Sequence, residues 1–483
     1  MLGQVIWRGP VAVGLAYLLV AGPSSSQIMD ERAIRDFPSV PTLSDPQSVE
    51  VAIEAGRRLF LTRFNILDGA GRPRATGDSK PTFRMQRNAP LFHRVSGPDA
   101  SSCASCHNQP RLGAAGDFAA NVFQGAHFLD PLNDSVASQS TNERGTPSLF
   151  GSGAIEALAF EMSEELAALR LGALEQAART AQDVPVNLVT KGVEFGVLTA
   201  RPDGTYDASR VAGVDADLVV KPFGVKGVAV SVREFTVFAL NHHHGIQALE
   251  RFGPIRTGLR DFDSDGVETE FSIGQVSALV LFQATLPAPV RRDPVRPADE
   301  GLVDLGEASF REIGCARCHL PSLPLRNAVV REPNARNRPG AAVPSAEVPL
   351  VEIPLPVAAR TGVFRGEAGT VRVAAFTDLK RHVICDGEDP HFCNERVQQD
   401  FVPTNQFLTA KLWDVGSTSP YGHRGDLTTL SEAILHHSAE ARPSRQAFQA
   451  LSEEKRRAII EFLKSLTVPS SSREMTFSME AIK

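Results

Sequence analysis

Two five-residue stretches, CASCH at 103–107 and CARCH at 315–319, decide how this sequence is organised. In a C-x-x-C-H pentad the two thiols can form thioethers with haem, and the adjacent His can bind the iron. The chain has six Cys and 12 His in 483 residues, so chance predicts far fewer than one such pentad. A structural zinc site would need the two Cys pairs within ~15–20 residues of each other. The two pentads start 212 positions apart (315 − 103), so the sequence predicts two covalent c-type haems.

Each pentad follows a segment with helical spacing of apolar residues. The first segment is 48–60 and the second is 305–313. Ser452 can cap a third helix, whose apolar stripe runs to Leu466. A fourth helical pattern lies within 151–175. Between the helices we expect short strands or extended loops, at 189–232 and 328–372.

The composition is that of a soluble globular protein of two or three domains, with 42% apolar and 22% charged residues. The formal net charge of −6 argues against a nucleic-acid or membrane-surface partner. An apolar run at 11–21 is too short to span a bilayer and is typical of a secretory signal peptide. We find no transmembrane segment elsewhere in the sequence. Export would agree with covalent haem attachment, which in bacteria takes place outside the cytoplasm.

Beyond the pentads, the chain resembles the bacterial di-haem cytochrome c peroxidase superfamily, and within it the di-haem oxidoreductases. The stretches that carry the resemblance are NERGTPSLFGSGAIEAL (142–158), REFTVFALNHHHGIQALERFG (233–253), DFDSDGVETEFSIGQVSAL (261–279), FTDLKRH (376–382) and KLWDVGSTSPYGHRGDLTTLSEAILHHSAEA (411–441). The resemblance implies a mainly α fold of two cytochrome c-like haem domains, with long loops and a few short strands. We place a signal peptide at 1–27, an N-terminal haem domain at 28–290 and a C-terminal haem domain at 291–483. The second boundary lies in a proline-rich stretch at 286–300.

The resemblance also implies a function, a periplasmic peroxidase that reduces hydrogen peroxide at the first haem. That haem would be held by Cys103, Cys106 and His107, and electrons would enter through the second haem, held by Cys315, Cys318 and His319. The electron donor would be a small protein such as a cytochrome c or a cupredoxin. His437 matches the family position expected to carry the distal ligand of the second iron, with His423 as its competitor. We expect His437 to project from a helix.

Candidates for the catalytic side of the first haem come from a dense His cluster and its surroundings. A distal group must protonate the leaving oxygen when peroxide is cleaved, and His or Glu can do this. The candidates are His243, His244, Gln247 and Glu156, and each His could instead bond backbone or haem carboxylates. His127 could be a labile ligand. Trp413 could relay an electron between the haems or simply pack against a porphyrin.

Two further features lie outside the haem motifs. Asp261, Asp263 and Asp265 form a D-x-D-x-D-G loop that, with Glu270 or Glu268, could hold calcium, although Ser272 stands where an EF-hand has Glu. The alternative is a solvated acidic turn. Cys385 and Cys393 are expected to form a disulfide in an oxidising compartment; the alternative is a reactive thiol pair.

Other functions share these motifs. They are a pure electron-transfer cytochrome with both irons six-coordinate, a di-haem oxygenase, and an enzyme that oxidises side chains of another protein. A shared fold does not distinguish among these functions.

Overall fold

A computed structural model of the chain describes residues 31–34, 46–71, 99–123, 141–262, 265–293, 300–342, 350–358, 361–395 and 397–469. The predicted signal peptide lies outside these residues. Within them, no helix is both long enough and apolar enough to cross a membrane.

The described residues form ten α-helices. These are α1 (Pro46–Leu61), α2 (Ser152–Thr180), α3 (Val232–Ala239), α4 (Leu249–Phe252), α5 (Pro254–Thr257), α6 (Ile273–Ala284), α7 (Glu300–Glu312), α8 (Leu430–Leu435), α9 (Arg442–Ala450) and α10 (Glu453–Ser465). A π-helical turn, Leu240–His244, continues α3. The helices predicted before each CxxCH motif are confirmed as α1 and α7, and Ser452 caps α10 by accepting a hydrogen bond from Lys455 N.

Fourteen strands form six small sheets in the described part of the chain. The strands are β1 (Gly116–Phe123), β2 (Thr141–Thr146), β3 (Val184–Thr190), β4 (Val193–Ala200), β5 (Tyr206–Val211), β6 (Val290–Arg291), β7 (Leu323–Leu325), β8 (Val329–Glu332), β9 (Val351–Pro354), β10 (Val363–Arg365), β11 (Val371–Val373), β12 (Arg381–Val383), β13 (Gln406–Leu408) and β14 (Leu466–Thr467). The sheets are β1-β2, β10-β11-β7, β12-β13, β14-β6, β3-β4-β5 and β8-β9, and all their pairs are antiparallel.

The predicted fold class, mainly α with two cytochrome c-like haem domains, is wrong. Of the residues that the structure describes, 38% are helical and 19% are in strands, which are distributed over many small sheets. The reason is visible in the Val-rich segments, which pair as short antiparallel ladders because β-branched residues favour the extended backbone. The largest of these ladders, β3-β4-β5, packs on the second half of α2.

Two helix pairs form the supports of the CxxCH motifs. α1 crosses α6 at Gly56, where an added Cβ would lie 1.9 Å from the carbonyl oxygen of Ala278. α7 crosses α10 at Gly306, where a Cβ would lie 2.0 Å from the carbonyl oxygen of Ala458. Glycine therefore allows the two backbones to touch at the same point of each pair.

A buried ionic cluster joins the two halves of the sequence. Arg233 on α3 is fully buried and contacts Glu250 on α4 and Glu332 on β8, and Ser277 on α6 donates to Glu332 at 3.0 Å. One hydrophobic core likewise combines residues from α2 with residues beyond position 320. The domain boundary near residue 290 stays a prediction, and hydrophobic and ionic packing both continue across it.

Candidate functional site

Both CxxCH motifs adopt the same local conformation. Each begins in a 3-10 turn, at Cys103–Ser105 and at Cys315–Arg317. The backbone N–H of His107 donates to Cys103 O at 3.0 Å, and that of His319 donates to Cys315 O at 3.0 Å. The turn gathers the two sulfurs and the imidazole of each motif, as the C-x-x-C-H pattern predicts.

The His residue of each motif has a pKa that favours metal binding. Burial, aided by the neighbouring His243, lowers the pKa of His107 to about 4. Burial and His437 lower the pKa of His319 to about 4. The two imidazoles are therefore neutral at pH 7, the form in which imidazole can bind a metal. Burial also raises the pKa of the Cys103 thiol to about 12, and it does the same for Cys315.

At the second motif two imidazoles face each other. His319 Nδ1 lies 3.1 Å from the carbonyl oxygens of Phe376 and Ala410, and His437 Nδ1 lies 2.7 Å from Ala433 O. These bonds leave both Nε2 atoms to act as acceptors. The ring centres of His319 and His437 are 6.5 Å apart. A metal bound at about 2 Å by imidazole nitrogens on opposite sides would hold the ring centres roughly 6 Å apart. The two side chains therefore fit a single iron between them.

His437 does not lie on a helix, contrary to the prediction. α8 ends at Leu435, and His437 follows in an irregular turn. His423, the competing candidate, is committed elsewhere. Its Nε2 lies 2.7 Å from Asn394 Oδ1 and 3.2 Å from Glu395 Oε1.

The first motif has different surroundings. His107 packs against Phe60, with ring centres 6.1 Å apart, and no other imidazole among the described residues lies as close to it as His437 lies to His319. His93 and the predicted labile ligand His127 lie outside the described residues. In the described part, the first motif thus lacks the closed pair seen at the second.

His243 is the predicted catalytic residue that lies best for chemistry at the first motif. It lines the same cavity as His107, and its Nδ1 lies 3.2 Å from Asp99 Oδ2. Asp99 N also donates to His243 O at 2.7 Å. The whole His cluster sits in the π-helical turn, a conformation found mostly at functional sites. Sequence reasoning missed Asp99, which stands close before the first motif but carries no pattern of its own.

The other predicted catalytic residues lie outside the cavity wall. His244 is buried with Nδ1 2.7 Å from Ala100 O and Nε2 3.7 Å from Cys103 Sγ. The backbone N–H of Gln247 donates to Glu270 at 2.7 Å. Glu156 accepts hydrogen bonds from Val232 N and Asn334 Nδ2, both at 2.8 Å. Burial raises its pKa to about 8, but its contacts join α2, α3 and the loop after β8.

Trp413 is a buried packing residue at the centre of the largest core. An added Cβ at Gly151 would lie 2.4 Å from its ring, and one at Gly362 would lie 2.7 Å from the ring. The indole therefore fills the gap between the N-terminus of α2 and the segment before β10. It lies behind the cavity wall, which includes its neighbours Leu412 and Asp414.

Both motifs open into one cavity of about 690 Å³. Its volume falls within the range of small-molecule and cofactor sites, about 300–1,000 Å³. The wall includes residues of both motifs, together with five other His. These residues are Cys106, His107, Cys315, Cys318, His319, His242, His243, His382, His423 and His437. The residues present thus fit two haems lodged in one continuous space.

Two charged side chains in the cavity wall were not predicted. Lys411 has no hydrogen-bond partner among the described residues; burial lowers its pKa, which the charge of Asp414 opposes. His382 lies between Asp378, at 2.8 Å, and Glu440, at 2.7 Å. Burial acts to lower the pKa of His382, but its hydrogen bonds to Asp378 and Cys318 raise it to about 11. Ligand atoms of Cys318, Asp378 and His382 lie within 4.8 Å of one another.

The predicted calcium ligands are only partly described. Asp261 accepts backbone hydrogen bonds from Asp265 N at 3.2 Å and Gly266 N at 3.0 Å, and Asp263 lies outside the described residues. Glu270 is buried and its carboxylate accepts from Gln247 N. Burial and the charge of Asp261 raise the pKa of Asp265, which the hydrogen bond from Val267 opposes. The calcium site stays a prediction.

The predicted disulfide is confirmed. Cys385 and Cys393 are bonded, with Cα atoms 5.5 Å apart. The bond closes a short loop that carries Asp386, Glu388 and Asp389.

Comparison with known proteins identifies one part of the chain. Residues 368–466 match the sequence model of the family described as "Di-haem oxidoreductase, putative peroxidase". Curated protein sequences gave no match. The solved structure of Kuenenia stuttgartiensis hydrazine synthase under 20 bar xenon shares 13% identity, over 96% of this chain and 100% of that chain. Its TM-score of 0.32 is too low to support any inference. The matched segment contains His382, Trp413, His423 and His437, and the resemblance to the di-haem oxidoreductases is confirmed over residues 368–466.

Proposed function

We propose that the protein is an exported di-haem c-type oxidoreductase that reduces hydrogen peroxide at the site of the first motif. Cys103 and Cys106 would hold the first haem and Cys315 and Cys318 the second, through thioethers. His107 and His319 would be the proximal ligands. Electrons would arrive through the second site and pass to the first.

The observation that carries the proposal is the difference between the two sites. At the second, His437 faces His319 at a ring separation of 6.5 Å, so it would serve as a second protein ligand to an iron held there. At the first, the described residues provide no such partner for His107, while His243 stands in the shared cavity. A filled position suits electron transfer and an open one suits reaction with a small oxidant.

The family's haem supplies the electron-transfer chemistry when bound, and the residues around it would manage protons. Reduction of H₂O₂ consumes two electrons and two protons and yields two water molecules. His243 can give and take a proton at Nε2 because Nδ1 is engaged by Asp99. The carboxylate of Asp99 fixes the ring orientation, as a carboxylate commonly does for a functional His.

Lys411 would neutralise a carboxylate of a haem. An ammonium that lines the cavity without a hydrogen-bonding partner would lose hydration when the cofactor fills the cavity, and an anion brought by the cofactor would offset that cost. Cys318 would be bound as a thioether and so could not serve as a thiolate ligand beside Asp378 and His382. His382, paired with Asp378 and Glu440, would then line the space of the second haem.

Export and a protein electron donor are part of the same proposal. The apolar run at 11–21 resembles a signal peptide, and the Cys385–Cys393 disulfide suits an oxidising compartment. We propose a small redox protein as donor. We also propose a calcium ion at the loop of Asp261 and Asp265, supported by the proximity of these two carboxylates.

Low-temperature EPR on the purified holoprotein, oxidised and half-reduced, tests the proposal, combined with peroxide turnover in the presence of a small reduced cytochrome c. We expect one low-spin haem with two His ligands, one haem that is or becomes high-spin, and peroxide-dependent oxidation of the donor. Two haems that remain low-spin, without turnover, would indicate an electron-transfer cytochrome. An open iron without peroxide turnover, but with oxygen uptake on an apolar substrate, would indicate an oxygenase.

A further inference from the structure

The acidic loop closed by the Cys385–Cys393 disulfide contacts the segment that carries His437. His437 follows the end of α8 and is bonded to that helix at two points. Its N–H donates to Ile434 O at 3.2 Å, and its Nδ1 lies 2.7 Å from Ala433 O. Because both partners belong to the end of the same helix, the position of the whole turn relative to His319 must be set by contacts from outside it.

Each acidic residue of the loop bonds to a neighbour of His437 in sequence. Asp386 accepts from Ser438 Oγ at 2.9 Å and pairs with Arg442. Glu388 pairs with Arg442 Nε at 2.9 Å and accepts from Arg445 at 2.6 Å.

Asp389 and Phe392 make contacts that lie even closer to His437 in the sequence or reach its ring. Asp389 lies 3.2 Å from His436 Nδ1 and 3.2 Å from Arg445. The ring of Phe392 stands at 90° to that of His437, with centres 5.8 Å apart. Ser438 N also donates to Ile384 O, directly before the disulfide, at 2.9 Å. The loop therefore holds the chain on both sides of His437 and contacts the ring itself.

We propose that the disulfide-closed loop 385–393 is the device that keeps His437 on the second iron, with Asp386, Glu388 and Asp389 as positioning residues. Without these contacts, the turn at 436–438 has few bonds of its own. His437 would then leave the iron more often, and an added ligand could take its place. The inference rests on the proposed function, in which His437 is an iron ligand.

The test measures how readily added imidazole replaces His437, by EPR and absorption of the oxidised holoprotein. The variant combines Asp386→Asn, Glu388→Gln and Asp389→Asn, which keep side-chain size and remove charge. We expect the apparent affinity for imidazole at the second iron to rise about tenfold, because charge-assisted bonds to the segment weaken. Asp389→Asn alone should give a smaller rise, and Asp389→Glu should restore much of the original value.

Glu352→Gln is the matched control. Glu352 is about as exposed as Glu388 (52% against 50%) and likewise pairs with an Arg Nε at 2.9 Å, but it lies on β9. It should leave imidazole affinity unchanged. The proposal is overturned if the triple variant, or Asp389→Asn where the triple variant does not fold, binds imidazole within about twofold of the unsubstituted protein. Failure of the proposed function would look different. If His437 were no iron ligand, the unsubstituted protein would lack the two-His low-spin signal, and if peroxide were not the substrate, turnover would be absent while that signal remained.

Discussion

The CxxCH motifs at 103–107 and 315–319 rest on the same support and face different surroundings. In both, a helix with Phe in its last turn precedes the motif and crosses a second helix through a glycine. The ring of Phe60 lies 5.2 Å from that of Phe282, at 59°, and the ring of Phe310 lies 5.5 Å from that of Phe462, at 60°.

The proximal imidazoles repeat the match. His107 lies 6.1 Å from Phe60 at 52°, and His319 lies 6.3 Å from Phe310 at 53°. Opposite them the likeness ends, because His437 faces the imidazole of the second motif, while His243, bonded to Asp99, lines the cavity at the first. If the proposed haems are bound there, the equal supports would hold them and the unequal opposite faces would decide their roles.

Removing His437, the proposed second ligand of the second iron, should make both irons open to an added ligand. In His437→Ala, the reduced second iron should bind carbon monoxide, so that carbon monoxide bound per chain rises from one to two in a spectrophotometric titration. His423→Ala should leave the number at one, since its Nε2 is engaged by Asn394. Equal stoichiometry in His437→Ala and the unsubstituted protein would remove His437 as the closing ligand.

A second prediction concerns His243, the proposed acid–base residue at the first motif. His243→Ala should lower peroxide turnover by about 100-fold or more, the usual contribution of a positioned acid–base group. Asp99→Asn should lower it less, because it disturbs only the orientation of His243. Low-spin EPR of the second haem should be unchanged in both. Unimpaired turnover in His243→Ala would assign the proton transfer to another group.

Acid should weaken the contact between β2 and the segment around Glu395, and so lower the free energy of unfolding. Glu395 lies beside His423 and binds two residues of β2, Arg144 at 2.5 Å and Asn142 at 2.7 Å. Burial opposes its ionisation, but hydrogen bonds from His423 and Arg144 lower its pKa to about 2. Since the folded pKa lies below the usual 4.5, the stabilisation is complete above pH 4.5 and is lost as the pH falls towards 2.

The linked free energy is at most about 3 kcal/mol. Denaturant unfolding between pH 6 and pH 2.5 measures it. Glu395→Gln should be less stable at pH 6 and should lose part of this pH dependence. An unchanged pH dependence in the variant would show that other carboxylates dominate acid unfolding.

The smallest effect is expected at the two helix pairs that support the motifs, α1 with α6 and α7 with α10. Gly56→Ala and Gly306→Ala should each reduce the free energy of unfolding by about 1–3 kcal/mol, because the new methyl meets a carbonyl oxygen of the crossing helix. Gly301→Ala, also on α7, has no atom within 4 Å of the added Cβ and should be neutral or stabilising by up to about 1 kcal/mol. Urea unfolding of the three variants measures the differences. Unequal costs at Gly56 and Gly306 would mean that the two supports are not equivalent.

Sequence reasoning found the motifs, their helices and the disulfide because each is encoded by short-range spacing. It misjudged the fold class because it read the Val-rich stretches as short strands or loops without their pairing, and because some pairs, such as β7 with β11, form over long sequence distances. It found His437 through the family but not the turn that carries it, since the helix pattern continues one turn beyond where the backbone leaves it. Asp99, His382 and Lys411 gave no signal, because their partners are brought to them only by the folded chain.

The single cavity has a thermodynamic consequence. Once both sites are filled, two redox centres share one poorly screened space, and charge at one is felt at the other. The first electron to enter raises the free energy for the second. The two midpoint potentials are therefore properties of the pair, and a redox titration of one site would report the state of its neighbour.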